Sequence, residues 1–434
     1  MKHESKIHLG LRARLLAMTA IAGVSAALAW PTADARAAGF AIKEQSGSAQ
    51  GNSFAGATAG AEDISYMFFN PAGLSLHDGN QIIVVGSYIL PGNDTDNATL
   101  SAVIPWTNGE SSENGGENAA VPALYAMWSA TPDLKVGLGI NAPFGLKTEY
   151  SQTWAGRYHA VESDMKTLNI NPVVAYRINP TVSIAAGLQA EHMEATLSNM
   201  VPTLAGDALF EINGDGWAYG FTLGAMFELS PKTRIGLGYR SELDHDVDGT
   251  ATFGNTLFTA IPQTGGTSVT VPQSAHIGIY HELSDTLAIM GELQWMGWSS
   301  LDQLVVTLDS GGFGFGDTLT QNYNWDDVWF AGIGATWKAS DQWAIRTGIA
   351  YDQSPIPEAT RTPRIPGSDR TWLSVGASFN VNPSFTIDAG YTHIFMDNAQ
   401  VSIADQTGGG GLPGLDATFE NKVDIFALQV VVNF

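Results

Sequence analysis

WAYGFTLGAMFEL, Trp217–Leu229, separates into two sets of residues. Trp217, Tyr219, Phe221, Leu223, Ala225, Phe227 and Leu229 take every second position, and Ala218, Gly220, Thr222, Gly224, Met226 and Glu228 fall between them. A period of two is the signature of a strand with two unlike faces. One face here is wholly apolar with aromatics near its ends; the other is small or polar. A soluble sandwich also alternates, but it buries its large residues and covers its outer face with Lys, Glu and Thr. In this chain the second face is rich in Gly and Ala, and only 15% of residues are charged. That combination fits a barrel wall, with the apolar face toward lipid and the small one toward a lumen.

The same alternation recurs from about residue 81 to the end. In WAIRTGIAY, Trp343, Ile345, Thr347, Ile349 and Tyr351 oppose Ala344, Arg346, Gly348 and Ala350. In LNINPVVAYR, Leu168, Ile170, Pro172, Val174 and Tyr176 oppose Asn169, Asn171, Val173, Ala175 and Arg177. The chain ends VDIFALQVVVNF, where Phe426, Leu428, Val430, Val432 and Phe434 form one apolar face up to the terminus. A closing strand with a terminal aromatic resembles the assembly signal of outer-membrane barrels.

The connections between these stretches alternate in length. Thr131–Asp133, Asn179–Thr181, Ser230–Lys232, Ser284–Thr286, Ala339–Gln342 and Asn382–Ser384 are tight and rich in turn formers. Long, acidic, Gly-rich connections lie near 92–120, 148–166, 194–214, 246–272, 302–325, 353–370 and 397–421. Short periplasmic turns and longer external loops are what an outer-membrane barrel uses. The count predicts fourteen antiparallel strands, beginning at Gln81, Val121, Leu134, Met165, Val182, Asp215, Thr233, Thr270, Leu287, Asp327, Gln342, Thr371, Phe385 and Val423. The fold class expected is an all-β membrane protein, a transmembrane β-barrel with both ends on the periplasmic side.

The N-terminus carries an export signal. Lys2, Lys6, Arg12 and Arg14 form a basic region, Leu15–Ala29 an apolar one, and Ala35-Arg36-Ala37 a cleavage site. Residues 1–37 are therefore expected to be a signal peptide. Beyond them no apolar run approaches the ~18 residues of a membrane helix. The formal net charge of −23 excludes a nucleic-acid partner, which needs a basic face. With no Cys among 434 residues, disulfides and thiolate metal sites are excluded too.

A fourteen-strand barrel is too wide for its own side chains to fill, since about eight strands already use up the interior. The only sizeable non-strand segment available is 38–76, expected to enter the lumen as a hatch, with 77–434 as the barrel. Its Gly and Ala let backbone approach the wall, and Phe40, Tyr66, Phe68 and Phe69 are the bulky fillers. Asn70-Pro71 ends that unit, because Pro fixes φ and lacks a donor N–H.

AGF at the mature terminus, AEDISYMFFNPAGLSL (Ala61–Leu76), APFGLKTEY (Ala142–Tyr150), WAGRYHA (Trp154–Ala160), NINP and AYRIN are similar to the FadL family of outer-membrane long-chain fatty acid transporters, which also includes TodX-type proteins for aromatic hydrocarbons. The resemblance implies passive, substrate-specific transport: a hydrophobic substrate captured near external loops, passed to a site beside the N-terminus and released laterally where the third strand kinks. Asn70, Pro71 and Ala72 match the family's Asn-Pro-Ala motif, and Phe40 its N-terminal aromatic. Ala142-Pro143-Phe144-Gly145 falls in strand three, where Pro withholds a ladder bond and Gly favours a bend. The physics favours lateral exit independently. Each buried CH₂ is worth about 0.8 kcal/mol, so a sixteen-carbon tail pushed into water would lose roughly 12 kcal/mol.

Uptake of aromatic or alkane hydrocarbons is the alternative within this class. A carboxylate needs a basic or multi-donor partner and a hydrocarbon needs none; Arg157 is the candidate contact, with a loop acid such as Glu162 as its competing partner. A membrane-embedded lipase or phospholipase is the alternative of another class, but no GxSxG and no Ser/His pair supports it. GLGINA (Gly137–Ala142) lies within a strand and fails the context of a dinucleotide fingerprint. DHDVDG (Asp244–Gly249) begins like a calcium loop, but the twelfth position is Asn255. No cofactor or resident metal is expected. Acidic loops can bridge to lipopolysaccharide through divalent ions, and the protein is expected to be a monomer in the outer membrane of a Gram-negative cell.

Overall fold

The computed structural model describes residues 39–434 apart from 102–108, 204–205, 311–312, 314–315 and 408–410. The expected leader, 1–37, lies outside the described residues. Among those described, no helix is long and apolar enough to cross a membrane.

Fourteen antiparallel strands form a closed wall. They are β1 (Gln81–Thr95), β2 (Ala119–Ser129), β3 (Leu134–Asn141 and Gly145–Glu149), β4 (Glu162–Asn179), β5 (Val182–Thr203), β6 (Gly206–Ser230) and β7 (Thr233–Arg240 and Leu243–Gly254). Then follow β8 (Gln263–Val271 and Ser274–Glu282), β9 (Leu287–Met296 and Gln303–Leu308), β10 (Thr318–Asn322 and Val328–Lys338), β11 (Trp343–Asp352), β12 (Arg370–Asn382), β13 (Phe385–Met396 and Ala399–Ile403) and β14 (Gly414–Asn433). Each pairs with its sequence neighbours, and β14 pairs with β1 from Asp94↔Glu420 to Gln81↔Asn433, which closes the ring.

Six strands that follow a tight turn or open the wall begin where the alternation places them: Gln81, Leu134, Val182, Thr233, Leu287 and Phe385. At the other rim the expected loops are largely strand. The stretch 194–214 is the tip of the β5–β6 hairpin, paired out to Thr203↔Gly206. The stretches 148–166, 246–272 and 302–325 likewise contain ladder residues. Beyond the apolar band a strand has no reason to present large residues outward, so the period fades while backbone pairing continues. The connection 353–370 does stay irregular, apart from one short 3₁₀ turn at Glu358–Thr360.

The two faces behave as the alternation requires. Trp217, Tyr219, Phe221 and Leu223 are exposed, while Ala218, Thr222 and Met226 are buried. Leu428, Phe434, Val174 and Ile345 also face outward. The buried, inward face is covered by residues 39–76. This segment has one helical turn, Gly47–Gln50, and two 3₁₀ helices, Ile64–Phe68 and Pro71–Leu76. It reaches wall strands on every side. Gly47 N donates to Gln429 of β14, Asn52 Nδ2 to the Ala335 carbonyl of β10, Thr58 N to Glu292 of β9 and Asn70 Nδ2 to the Ala225 carbonyl of β6. Arg346 of β11 clamps Glu62 with Nε at 2.9 Å and Nη2 at 2.6 Å. Close approach depends on wall glycines. A Cβ at Gly236 would lie 1.9 Å from the Thr58 oxygen, and one at Gly348 would lie 2.0 Å from the Asn52 oxygen.

The Asn-Pro corner has a local cause. Asn70 caps the 3₁₀ helix, its Oδ1 accepting from Ala72 N at 3.0 Å, and Pro71 takes the first helical position, where no N–H is needed. The same amide donates to the Thr58 carbonyl at 2.8 Å and to Ala225 at 3.0 Å. One side chain thus starts a helix, ties two parts of the segment together and fastens both to β6.

Several neighbouring strands leave part of their ladder unpaired, and one such interruption lies between β2 and β3. These strands pair from Ser129↔Lys135 to Leu124↔Ile140, and meet again at Gly116↔Thr148 in the same register. Residues 117–123 and 141–147 are not paired with each other. Ala142-Pro143-Phe144-Gly145 lies in this gap, and the chain's own N-terminal residues supply the missing partners. Ile42 N donates to the Pro143 oxygen at 2.8 Å, Gly145 N donates to the Phe40 oxygen at 3.0 Å, and Ala41 bridges Phe144. Pro122 of β2, in the facing stretch, is a second residue without an N–H.

Two tests follow from these contacts. Asn70→Ala removes three hydrogen bonds and leaves buried backbone groups without partners, so the urea unfolding midpoint in lipid vesicles should fall by the equivalent of about 1–3 kcal/mol; an unchanged midpoint refutes the clamp. The chain has no Cys, so paired cysteines report geometry without background. Cysteines at Ala41 and Phe144, or at Gly116 and Thr148, should oxidise readily to disulfides, whereas cysteines at Val121 and Pro143 should not. Ready cross-linking of the last pair would mean that the wall is continuous there.

Candidate functional site

An apolar cavity of about 100 Å³ lies beneath the long connections. Leu146, Met165 and Met193 line one side, Val247 and Val269 the other, and Phe40 lines it from the N-terminal segment. Methionines suit such a place, because their flexible thioethers adapt to irregular apolar shapes. The connection 353–369 crosses above and contributes Ile365. It is fastened across the mouth. Arg364 Nη1 donates to the Glu162 carbonyl at 2.8 Å and Nη2 to the Ser198 carbonyl at 2.9 Å, Arg361 Nη1 donates to the Gln400 carbonyl at 2.9 Å, and Thr360 donates to the Tyr323 carbonyl at 2.6 Å.

Phe40 sits in an aromatic cage. Its ring centroid is 4.7 Å from that of Trp298, 5.6 Å from that of Trp325 and 6.1 Å from that of Phe144. Both indole N–H groups are buried without a hydrogen-bond partner among the described residues. The cage holds residues 40–42 against the gap between β2 and β3, so cavity, cage and gap share the same few residues.

A second, smaller cavity of about 40 Å³ is lined by the residues that follow Phe40 and has a polar end. Ile42, Phe68, Phe69, Pro143 and Phe144 border it, together with the two cations Lys43 and Arg240. Lys43 donates to Gln294 Oε1 at 2.9 Å and lies 4.3 Å from the centre of the Phe330 ring. Burial lowers its pKa from the usual lysine value, against the pull of Asp352, Glu44 and Glu292. Arg240 stacks on Phe68, with its guanidinium carbon 4.3 Å from the ring centre, and donates to the Phe68 carbonyl and to Gln189 Oε1.

The expected site residues therefore divide into groups. Phe40 lines the apolar cavity; Phe68, Phe69, Pro143 and Phe144 border the polar one; Ala142 and Gly145 lie in the gap. Asn70, Pro71 and Ala72 do not reach either cavity and instead anchor the segment to β6. Arg157 lies among the long connections. Its Nε donates to Asp207 Oδ2 at 2.9 Å and its Nη1 to the Trp154 carbonyl, so its acidic partner is Asp207 rather than Glu162. Beside it, burial pushes the Tyr158 pKa up to about 12, and His159, bonded to the Pro413 carbonyl, down to about 4. Lys43, Arg240, Trp298 and Trp325 went unmarked in the sequence. Lys43 had a signal: it is the single basic residue between 39 and 76.

The family described as outer membrane protein transport protein (OMPP1/FadL/TodX) matches residues 28–434. Among curated relatives, the long-chain fatty acid transport protein of Escherichia coli K12 is 27% identical, with 87% of this chain and 92% of that protein covered. The 47 kDa outer membrane protein of Pasteurella multocida is 30% identical over 86% of this chain and 90% of its own. Among solved structures, a FadL homologue from Pseudomonas aeruginosa superposes with a TM-score of 0.83 at 22% identity, covering 92% of this chain and all of the other. The toluene transporter TodX of Pseudomonas putida gives 0.69 at 15% identity, covering 91% and 99%. A closed barrel with an apolar outer face, an inward segment and a match over nearly the whole sequence places this chain in the OMPP1/FadL/TodX family of outer-membrane transporters of hydrophobic substrates, which are not enzymes.

Proposed function

We propose that this protein carries long-chain fatty acids across the outer membrane by passive diffusion. In this reading residues 38–76 are a hatch that blocks an aqueous path, the long connections capture the substrate, and the cavity beside Phe40 holds it. The interruption between β2 and β3 is the lateral exit. The observation that carries the reading is the adjacency of that interruption to the Phe40 cage, which gives an apolar molecule a route sideways without contact with water. The fatty-acid transport protein of Escherichia coli, at 27% identity, supports the choice of substrate over a hydrocarbon.

The exit is testable at Pro143 and Gly145. In Pro143→Val/Gly145→Val, Val suits a strand and restores the N–H that Pro withholds. A Cβ at 145 would clash with the flexible end of Ile42, at 2.7 Å, and make an ordinary contact with the Met165 oxygen, at 3.5 Å, so the fold should tolerate it. Heat-modifiability on gels and oleate binding should be retained. Uptake of labelled oleate, in cells lacking their own transporter, should fall by about an order of magnitude, the effect of adding roughly 1.4 kcal/mol to the exit barrier. Wild-type uptake by a folded variant places the exit elsewhere, and uptake of toluene but not of oleate by the unmodified protein favours the hydrocarbon reading.

A further inference from the structure

We propose that the separation between β8 and β9 is a side entrance, through which the tail of a long-chain acid lying in the outer leaflet passes into the apolar cavity. This rests on the fatty-acid reading above and adds the side from which the acid arrives. The two strands pair as far as Ser274↔Met296, and Gly297 N still donates to the Gln273 carbonyl at 3.0 Å. They pair again at Gly266↔Thr307 and Gly265↔Leu308. From Ser274 to Gly265 the chain advances nine residues on β8, but from Met296 to Leu308 it advances twelve on β9, so the ladder does not run through. Two local features enforce this. Pro272 has no N–H to offer, and Trp298–Ser300 coils into a 3₁₀ turn. Each strand stays paired on its far side, β8 with β7 from Leu243↔Val271 to Ala251↔Gln263 and β9 with β10 from Gln303↔Asn322. The interruption between β6 and β7 is different in kind. A Cβ at Gly216 would fall 2.1 Å from the Asp246 oxygen, so those strands remain in contact.

The separation borders the apolar cavity directly. Thr267 and Val269 line that cavity from β8, and Leu301 and Leu304 line it from the β9 side. Thr267 Oγ1, Ser300 Oγ and the Trp298 indole N–H are buried there without a hydrogen-bond partner among the described residues. Side chains rather than a backbone ladder close the cavity at this point, and they can swing aside without breaking the sheet. The mouth above is held more firmly, by Arg364 on the Glu162 and Ser198 carbonyls and by Tyr150 Oη, which donates to the Pro363 carbonyl at 2.7 Å. On the outer face Trp295, next to the last paired residue, is cross-strand to the exposed Trp329. Tryptophans in a barrel wall mark the level of the lipid head groups. At the separation itself Ser268, Asp302 and Gln303 are exposed. The rim is thus polar where an acid carries its carboxylate, and the cavity behind it is apolar where the tail must go.

The test bridges the separation from outside, where the bridge does not occupy the cavity. The chain has no Cys, so Ser268→Cys/Gln303→Cys carries the only two thiols. A bismaleimide with an internal disulfide joins them on whole cells that lack their own transporter, and mass spectrometry of the purified protein identifies the bridged form. Uptake of labelled oleate by bridged cells should fall by about tenfold or more, and cleaving the bridge with a reductant should restore it. Ser268→Cys and Gln303→Cys alone, treated with the same reagent, should keep the unmodified rate. The bridged protein should also carry little labelled oleate when it is purified from those cells, whereas Pro143→Val/Gly145→Val, altered at the exit, should carry it. Unmodified uptake by the bridged protein overturns the side entrance and leaves the fatty-acid reading intact. A loss that reduction does not reverse, or one equally large in the single-cysteine proteins, marks damage to the wall and overturns it too. Failure of the unmodified protein to take up oleate overturns the fatty-acid reading itself.

Discussion

Every backbone N–H and C=O inside a bilayer must find a partner within the protein, because hydrocarbon offers none. The pairing of β1 with β14 meets that demand by leaving the sheet no edge. The rest of the structure follows from closure. Fourteen strands enclose more space than their side chains fill, so Gly and Ala on the inner face admit a folded segment in place of bulky residues. That segment has polar backbone of its own, and the wall answers with Gln429, Glu292 and Arg346.

The gap between β2 and β3 is one place where strand pairing is relaxed, and it is relaxed under the same rule. Pro143 withholds a donor in β3, yet the backbone around it is not left bare, because Phe40 and Ile42 exchange hydrogen bonds with Pro143 and Gly145. The N-terminal residues therefore act as a local surrogate for β2. The interruption in the wall is coupled in this way to Phe40, which borders the apolar cavity, and a change at one is felt at the other.

The wall was legible in the sequence because lipid imposes a strict period of two; Trp217–Leu229 and Phe426–Phe434 carry it without exception at their exposed positions. The strand ends beside Thr131–Asp133 and Ser284–Thr286 were legible because tight turns need particular residues. The far ends of β5, β6 and β7 were not, since Ala195, Asn213 and Asp246 pair in ladders outside the apolar band, where either face can be polar. Asn70-Pro71 announced a break but not its anchorage to Ala225, which joins positions 155 residues apart. The convergence of Lys43 with Arg240 was hidden for the same reason. Single charges on distant elements meet only once the ring has closed.

The contacts of Gly47 and Gln50 span almost the whole chain, 382 residues to Gln429 and 375 to Ile425. Contacts so remote in sequence form late, because the loop they close must first be brought together. Among the described residues, the part that is synthesised first is thus the part that settles last. Until β14 is in place, the Phe-rich stretch Tyr66–Phe69 has no inner wall to pack on, and its transit to the membrane is made as an exposed, aggregation-prone segment. The abundance of Gly, Ala and Ser around it, which keeps the stretch soluble and weakly structured, serves that interval as well as the close packing that ends it.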